Sequence, residues 1–153
     1  MMTLPRFVFA LAAIAACLVV AAPAMAQTTV SYQATFVENG AGQVTCPPGT
    51  ACGSATISGF GHVAFQILAF DACGPNCNIR TITFADGSTL LIQESAVELI
   101  FPGNRSAPLF LEISQTILGG TGIFEGATGS GTGRVNLAAE AIIHASGTIT
   151  LAD

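Results

Sequence analysis

Glu94 and Glu98 stand four residues apart in the run Leu90 to Ile100, whose aliphatic content predicts a strand. Residues an even number apart on a strand share a face, so both carboxylates are expected on one side. Glu112, on a neighbouring candidate strand, falls within cross-strand reach. Paired carboxylates divide acid and base roles when their surroundings separate their pKa values. The plainer reading is a pair of solvated surface groups, because unpaired glutamate is rarely buried. His144 shares a polar face with Ser146, Thr148 and Thr150. A serine–histidine relay also needs an orienting third group and an oxyanion site, and the chain has no Gly-x-Ser-x-Gly elbow. His144 is therefore expected as a partly exposed strand residue, and His62, between Gly61 and Val63, as a hydrogen-bonded strand histidine.

The cysteines offer different chemistry. Cys46 and Cys52 flank a Pro/Gly-rich stretch, as do Cys73 and Cys77. An even number of cysteines in an exported chain reads as disulfides. Two local staples are the simplest pairing, with cross-pairing between the loops the alternative. A metal centre is the functional rival, but the spacing lacks paired C-x2-C and the histidines are isolated. No metal site and no cofactor is predicted.

Export itself is inferred from the first 26 residues. Arg6 provides the positive end, Phe7 to Ala22 the apolar core, and Ala24-Met25-Ala26 the small-residue cleavage pattern of a signal peptide. The apolar run is short for a membrane span and is followed by Pro23, so no transmembrane segment is expected. Cleavage near Ala26 leaves residues 27–153 as one secreted or periplasmic domain. The rival reading is a lipobox, Ile14-Ala15-Ala16-Cys17, which would anchor the chain by a lipid on Cys17. The mature chain carries three arginines, nine acidic residues and no lysine, which excludes nucleic acid as a partner and disfavours anionic lipid surfaces.

These residues must be positioned by β-structure, because no stretch beyond the leader keeps helical periodicity. Val30, Tyr32, Ala34 and Phe36 alternate with Thr29, Ser31, Gln33 and Thr35. Ile57, Val63, Phe65 and Ile67 are expected to share a face, with a bend or bulge at Gly59 and Gly61. Ala85-Asp86-Gly87-Ser88 signals a hairpin, and Pro102-Gly103-Asn104 a longer turn. Leu109, Leu111, Ile113 and Ile117 lie on one face, as do Ala141, Ile143, Ala145, Ile149 and Leu151. Seven or eight short strands in one domain suit an all-β fold, a small closed antiparallel barrel of about eight strands. Closure also removes strand edges that this lysine-free chain does little to guard.

The run Gly119 to Gly133 is the most distinctive segment. Gly119, Gly120 and Gly122 suit a sharp crossover, Phe124 is placed to plug the barrel end or core, and Gly126, Gly129, Gly131 and Gly133 let the next strand coil tightly. A phosphate loop would need a following helix and a Gly-Lys-Ser/Thr ending, and a dinucleotide fingerprint would need a βαβ context. Gly119-Gly120-Thr121-Gly122-Ile123-Phe124-Glu125-Gly126, with the preceding strand and the continuation through Gly129 to Leu137, resembles the signature segment of the allene oxide cyclase and dirigent barrel superfamily. The resemblance covers roughly residues 80–151. It implies an eight-stranded barrel with an apolar cavity, a trimeric assembly, and either cyclisation of an oxylipin epoxide or steering of phenol coupling. The cyclase branch uses a glutamate and an asparagine near the cavity mouth; the nearest positions here are Glu38 and Asn39. A fold of this kind is nearly silent on activity.

Two functions remain. One is a non-catalytic exported barrel that binds an apolar small molecule or serves in an assembly. The alternative is a cyclase- or isomerase-like enzyme acting on a reactive apolar substrate. Glutamates turned into the lumen would favour the enzyme, and a lumen filled by Phe and Leu the binding protein.

Overall fold

The computed structural model describes residues 27–39, 46–137 and 141–152; the leader, including Cys17 and the cleavage pattern at Ala26, lies outside them. The strands are β1 (Thr28–Asn39), β2 (Thr50–Ile57), β3 (Val63–Gly74), β4 (Cys77–Phe84), β5 (Thr89–Ile100), β6 (Phe110–Thr121), β7 (Thr128–Asn136) and β8 (Ala141–Leu151). Each pairs antiparallel with the next, and β8 closes on β1 from Thr28↔Leu151 to Glu38↔Ala141. The all-β closed barrel of eight strands expected from the sequence is the observed fold.

Period-two alternation sets the inner wall. Tyr32, Ala34, Phe36 and Glu38 of β1 face in, and Ile143, Ala145 and Ile149 of β8 do the same. The polar faces of these strands, His144 and Ser146 included, form the outer wall.

The register shifts at four places along β3–β4 and β5–β6, and two of these shifts correct an expectation. Between β3 and β4 the register passes from Val63↔Phe84 to Phe65↔Thr83. The extra residue, Ala64, turns Phe65 outward, so that Gln66 and Leu68 become the buried residues of β3. Between β5 and β6 the register passes from Ala96↔Ile113 to Glu98↔Glu112. Val97 is the extra residue there. Glu94 consequently faces in while Glu98 is exposed on the outer wall, and the pair read as sharing a face is split.

One barrel end is plugged. The crossover from β6 to β7 holds a single 3-10 turn, Gly122–Phe124. Gly119, Gly122 and Gly126 take φ of +95°, +62° and +69° there, a region in which a side chain is strained. Gly120 serves a different purpose, since a Cβ would run into the Thr89 carbonyl. The crossover delivers Phe124, fully buried, into the barrel, where it stacks on Phe84 at 4.9 Å and tilts against Phe60 at 5.2 Å. Phe124 is the plug the sequence led us to expect.

The opposite end carries both disulfides, Cys46–Cys52 tying the segment before β2 to its start and Cys73–Cys77 across the β3–β4 hairpin. The local pairing is the observed one. Disulfides are consistent with an extracellular or periplasmic location. Among the described residues no helix is long and apolar enough to cross a membrane.

Candidate functional site

A cluster of polar side chains occupies the barrel interior. Arg80 of β4 is in phase with Ile82 and Phe84 and therefore faces in, with no exposed surface. Its Nε and Nη2 donate to Glu94 Oε1 and Oε2 at 2.8 and 2.9 Å, and Nη1 donates to Gln66 Oε1 at 2.6 Å. This forked pairing is the geometry that arginine offers and lysine does not. The guanidinium also lies 4.2 Å from the centre of the Phe36 ring. Gln115 of β6 extends the network: its Nε2 donates to Glu94 Oε1 at 2.7 Å, and its Oε1 accepts from the Tyr32 hydroxyl at 2.6 Å. Gly131 of β7 makes room for that hydroxyl, because a Cβ there would meet both it and the Ser146 carbonyl.

Glu38 is the exception within the cluster. Its Oε1 lies 2.7 Å from Arg80 Nη1 in an ion pair, and apart from that shared nitrogen the buried oxygen has no hydrogen-bond partner. The Gln66 amide nitrogen is likewise buried and unpartnered. Desolvation of Arg80 opposes its charge, but Glu94 and then Glu38 outweigh it and hold the guanidinium protonated. Burial pushes the Glu38 carboxyl above its ordinary range; Arg80 pulls against this and Glu94 adds to it. Burial, helped by the charge of Glu94, pushes Tyr32 up to about 12.

Glu38, Arg80 and Glu94 form the polar floor of a cavity of about 270 Å³. Leu68, Leu111, Ile113, Val135 and Ile143 are among its walls, and Phe70 and Leu137, both partly exposed, stand at its rim. Most of the lining comes from the later parts of odd-numbered strands and the starts of even-numbered ones, with Leu68 and Glu94 at mid-strand and Leu137 just past β7. The cavity therefore opens at the disulfide end, opposite the plug. Exposed Leu99 and Phe101 continue the apolar character at the end of β5. A cavity of this size with apolar walls and few polar groups suits a small ligand.

The sequence candidates fare unequally. Glu38 and Glu94 are brought together around Arg80, whereas Asn39 is exposed on the other side of β1 and Glu98 lies on the outer wall. Glu112 pairs there with Arg134 Nε and Nη2 at 2.6 and 2.5 Å. His144 Nδ1 lies 3.2 Å from Thr35 Oγ1 beside a broader depression of about 590 Å³. That depression is an open furrow on the outer wall, flanked by exposed Gln33, Ser58 and Ser146. His62 sits in the turn before β3 with its side chain exposed, not within a strand; its backbone carbonyl accepts from Ala85 N at 2.8 Å. Among the described residues no three His, Cys, Asp or Glu side chains are grouped to hold a metal ion.

Arg80, Gln66, Gln115 and Tyr32 are the site residues that sequence reasoning left out. For Arg80 and Gln115 the signal was present, as polar residues in phase with Ile82 and Phe84 or with Ile113 and Ile117. Comparison of the chain with protein-family models, with curated proteins and with solved structures finds no match to any of them, so its chemistry must be read from the cavity itself.

Proposed function

We propose that the chain is an exported barrel that holds a small, mainly apolar molecule in the cavity at its disulfide-stapled end. One observation carries this reading: about 270 Å³ of space with apolar walls ends on a buried polar floor, so a ligand could bury hydrocarbon and orient one polar group. The resemblance of Gly119 to Gly126 to the allene oxide cyclase and dirigent segment supports the same reading, as does the stapled rim. Assembly into a trimer, implied by that resemblance, would cover exposed Val97, Leu99 and Phe101. Titration calorimetry with hexanol tests the binding. Saturable one-to-one binding is expected, lost in Ala51→Leu, which fills the cavity wall; absence of binding to the folded wild type would refute the proposal.

A specific observation favours a second reading, a cyclase- or isomerase-like enzyme. Glu38 combines a raised pKa with a place at the cavity floor beside the Arg80 cation, a pairing suited to moving a proton while a developing negative charge is stabilised. Chiral analysis of the products of a reactive apolar epoxide checks it. One stereoisomer should be enriched by wild type and not by Glu38→Gln; identical mixtures with and without protein would leave binding alone.

A further inference from the structure

Resting on the reading of the cavity as a binding site, we propose that its ligand is an alkylammonium: a short apolar chain ending in a cationic amine that ion-pairs with Glu38. Charge balance on the floor is the first ground. Arg80 brings one positive charge, Glu38 and Glu94 bring two negative ones, and all three side chains are at least nine-tenths buried. A surplus buried charge is costly in a low-dielectric interior, and a ligand cation cancels it.

The division of labour among the three groups is the second ground. Glu94 is committed, since its two oxygens accept from Arg80 twice and from Gln115 once. Arg80 is committed too, with Nε and Nη2 on Glu94 and Nη1 shared between Gln66 and Glu38. A ligand carboxylate would find the forked face of the arginine already taken and two glutamates close by. Glu38 is the member least well served: its buried Oε1 has only the Arg80 Nη1 that Gln66 already shares, although its carboxyl lines the cavity. The other unpartnered polar atom, Gln66 Nε2, belongs to a side chain that does not line the cavity, so toward a ligand the floor presents an acceptor, and a donor completes it.

The walls supply the third ground. Leu68, Leu111, Ile113 and Ile143 offer hydrocarbon, and the one polar wall residue, Asn78, has its oxygen engaged by Asp71 N, so the ligand's remainder must be mainly apolar and short enough for about 270 Å³. Selectivity against carboxylates then arises from repulsion as much as from attraction for the amine. The upward shift of the Glu38 carboxyl agrees: burial is its largest cause, and the pull of Arg80 does not cancel it.

The test compares three probes with one chain length, hexylammonium, hexanol and hexanoate, by titration calorimetry against the wild-type protein at neutral pH. Hexylammonium is expected to bind at least tenfold tighter than hexanoate, with hexanol between them. Glu38→Gln should erase the preference for the amine while hexanol binding persists, which also reports that the variant is folded. Glu98→Gln, on the outer wall, should leave the preference intact, and Ala51→Leu should abolish binding of all three. Hexanoate binding as tightly as hexylammonium, or an amine preference surviving in Glu38→Gln, would overturn the assignment and leave the cavity reading standing. If none of the three binds the wild type, the cavity reading falls with it.

Discussion

The two ends of this barrel solve the same packing problem in opposite ways. At the crossover end a loop folds inward, and Phe124 fills the lumen against Phe84 and Phe60. At the other end the strands stop around an open cavity, and two disulfides brace the connections instead of a core residue filling the space. Close packing contributes stability and leaves no room for a ligand. A cavity forgoes that contribution, so the rim must be held by other means. The polar network of Arg80, Glu94, Gln115 and Tyr32 lies in the interior behind the cavity, where a hydrogen-bonded floor resists collapse better than aliphatic side chains that could repack.

Breaking the floor should have the largest effect. Arg80→Met leaves Glu38 and Glu94 buried without their cation, a loss of about 5 kcal/mol by the usual cost of breaking a buried pair. Denaturant unfolding measures it. The sign with pH is also fixed: the Glu38 carboxyl already lies above its ordinary range and loses the cation that pulls it down, so the variant should gain stability on acidification. Equal loss at acid and neutral pH would contradict the network.

Removing the plug comes next. Phe124→Ala deletes a fully buried ring and should cost about 4 kcal/mol, with ligand binding at the far end retained by the folded molecules. Loss of binding in proportion to loss of stability would show that the two ends are not separable. The staples are smaller: serine at both Cys73 and Cys77 should lower stability by about 2 kcal/mol, as expected for so short a loop. It should also weaken binding, because Phe70 and Asn78 beside the hairpin line the cavity.

The smallest effect is expected at the hydroxyl end of the network. Tyr32→Phe leaves Gln115 Oε1 without its donor and should cost about 1 kcal/mol. Tyr32 is the sole tyrosine of the chain, and its folded pKa is raised from the model-compound value of 10.0 to about 12. The folded state therefore holds the phenolic proton more tightly than the unfolded state. Stability from this group is complete below pH 10 and declines as pH rises toward 12. Ultraviolet titration of the folded protein should show a single late transition; one near 10 would place Tyr32 in contact with water.

Much of this contrast was legible in the sequence where strands keep a strict period. β1 and β8 alternate without interruption, so the residues sharing each face were identified correctly, although periodicity did not say which face was the lumen. The glycine run announced the crossover that delivers Phe124. Legibility failed where one extra residue shifts the phase. Ala64 hides Gln66 from any alternation rule, and Val97 separates Glu94 from Glu98. Arg80 and Gln115 were in phase with apolar neighbours, yet charged and amide side chains are so often exposed that a buried network is recognised only once its members are seen together. The cavity floor is also non-local: Glu38, Gln66, Arg80, Glu94 and Gln115 come from five strands, and only closure of the barrel brings them into contact.

The claim that function resides at the disulfide end is tested most directly by chemical-shift mapping of the isotopically labelled protein titrated with hexylammonium. Shifts should concentrate at Leu68, Leu111, Ile143 and Glu38, with little change at Phe60, Phe84 and Phe124. Shifts centred on the plug, or on the outer furrow beside His144, would contradict it.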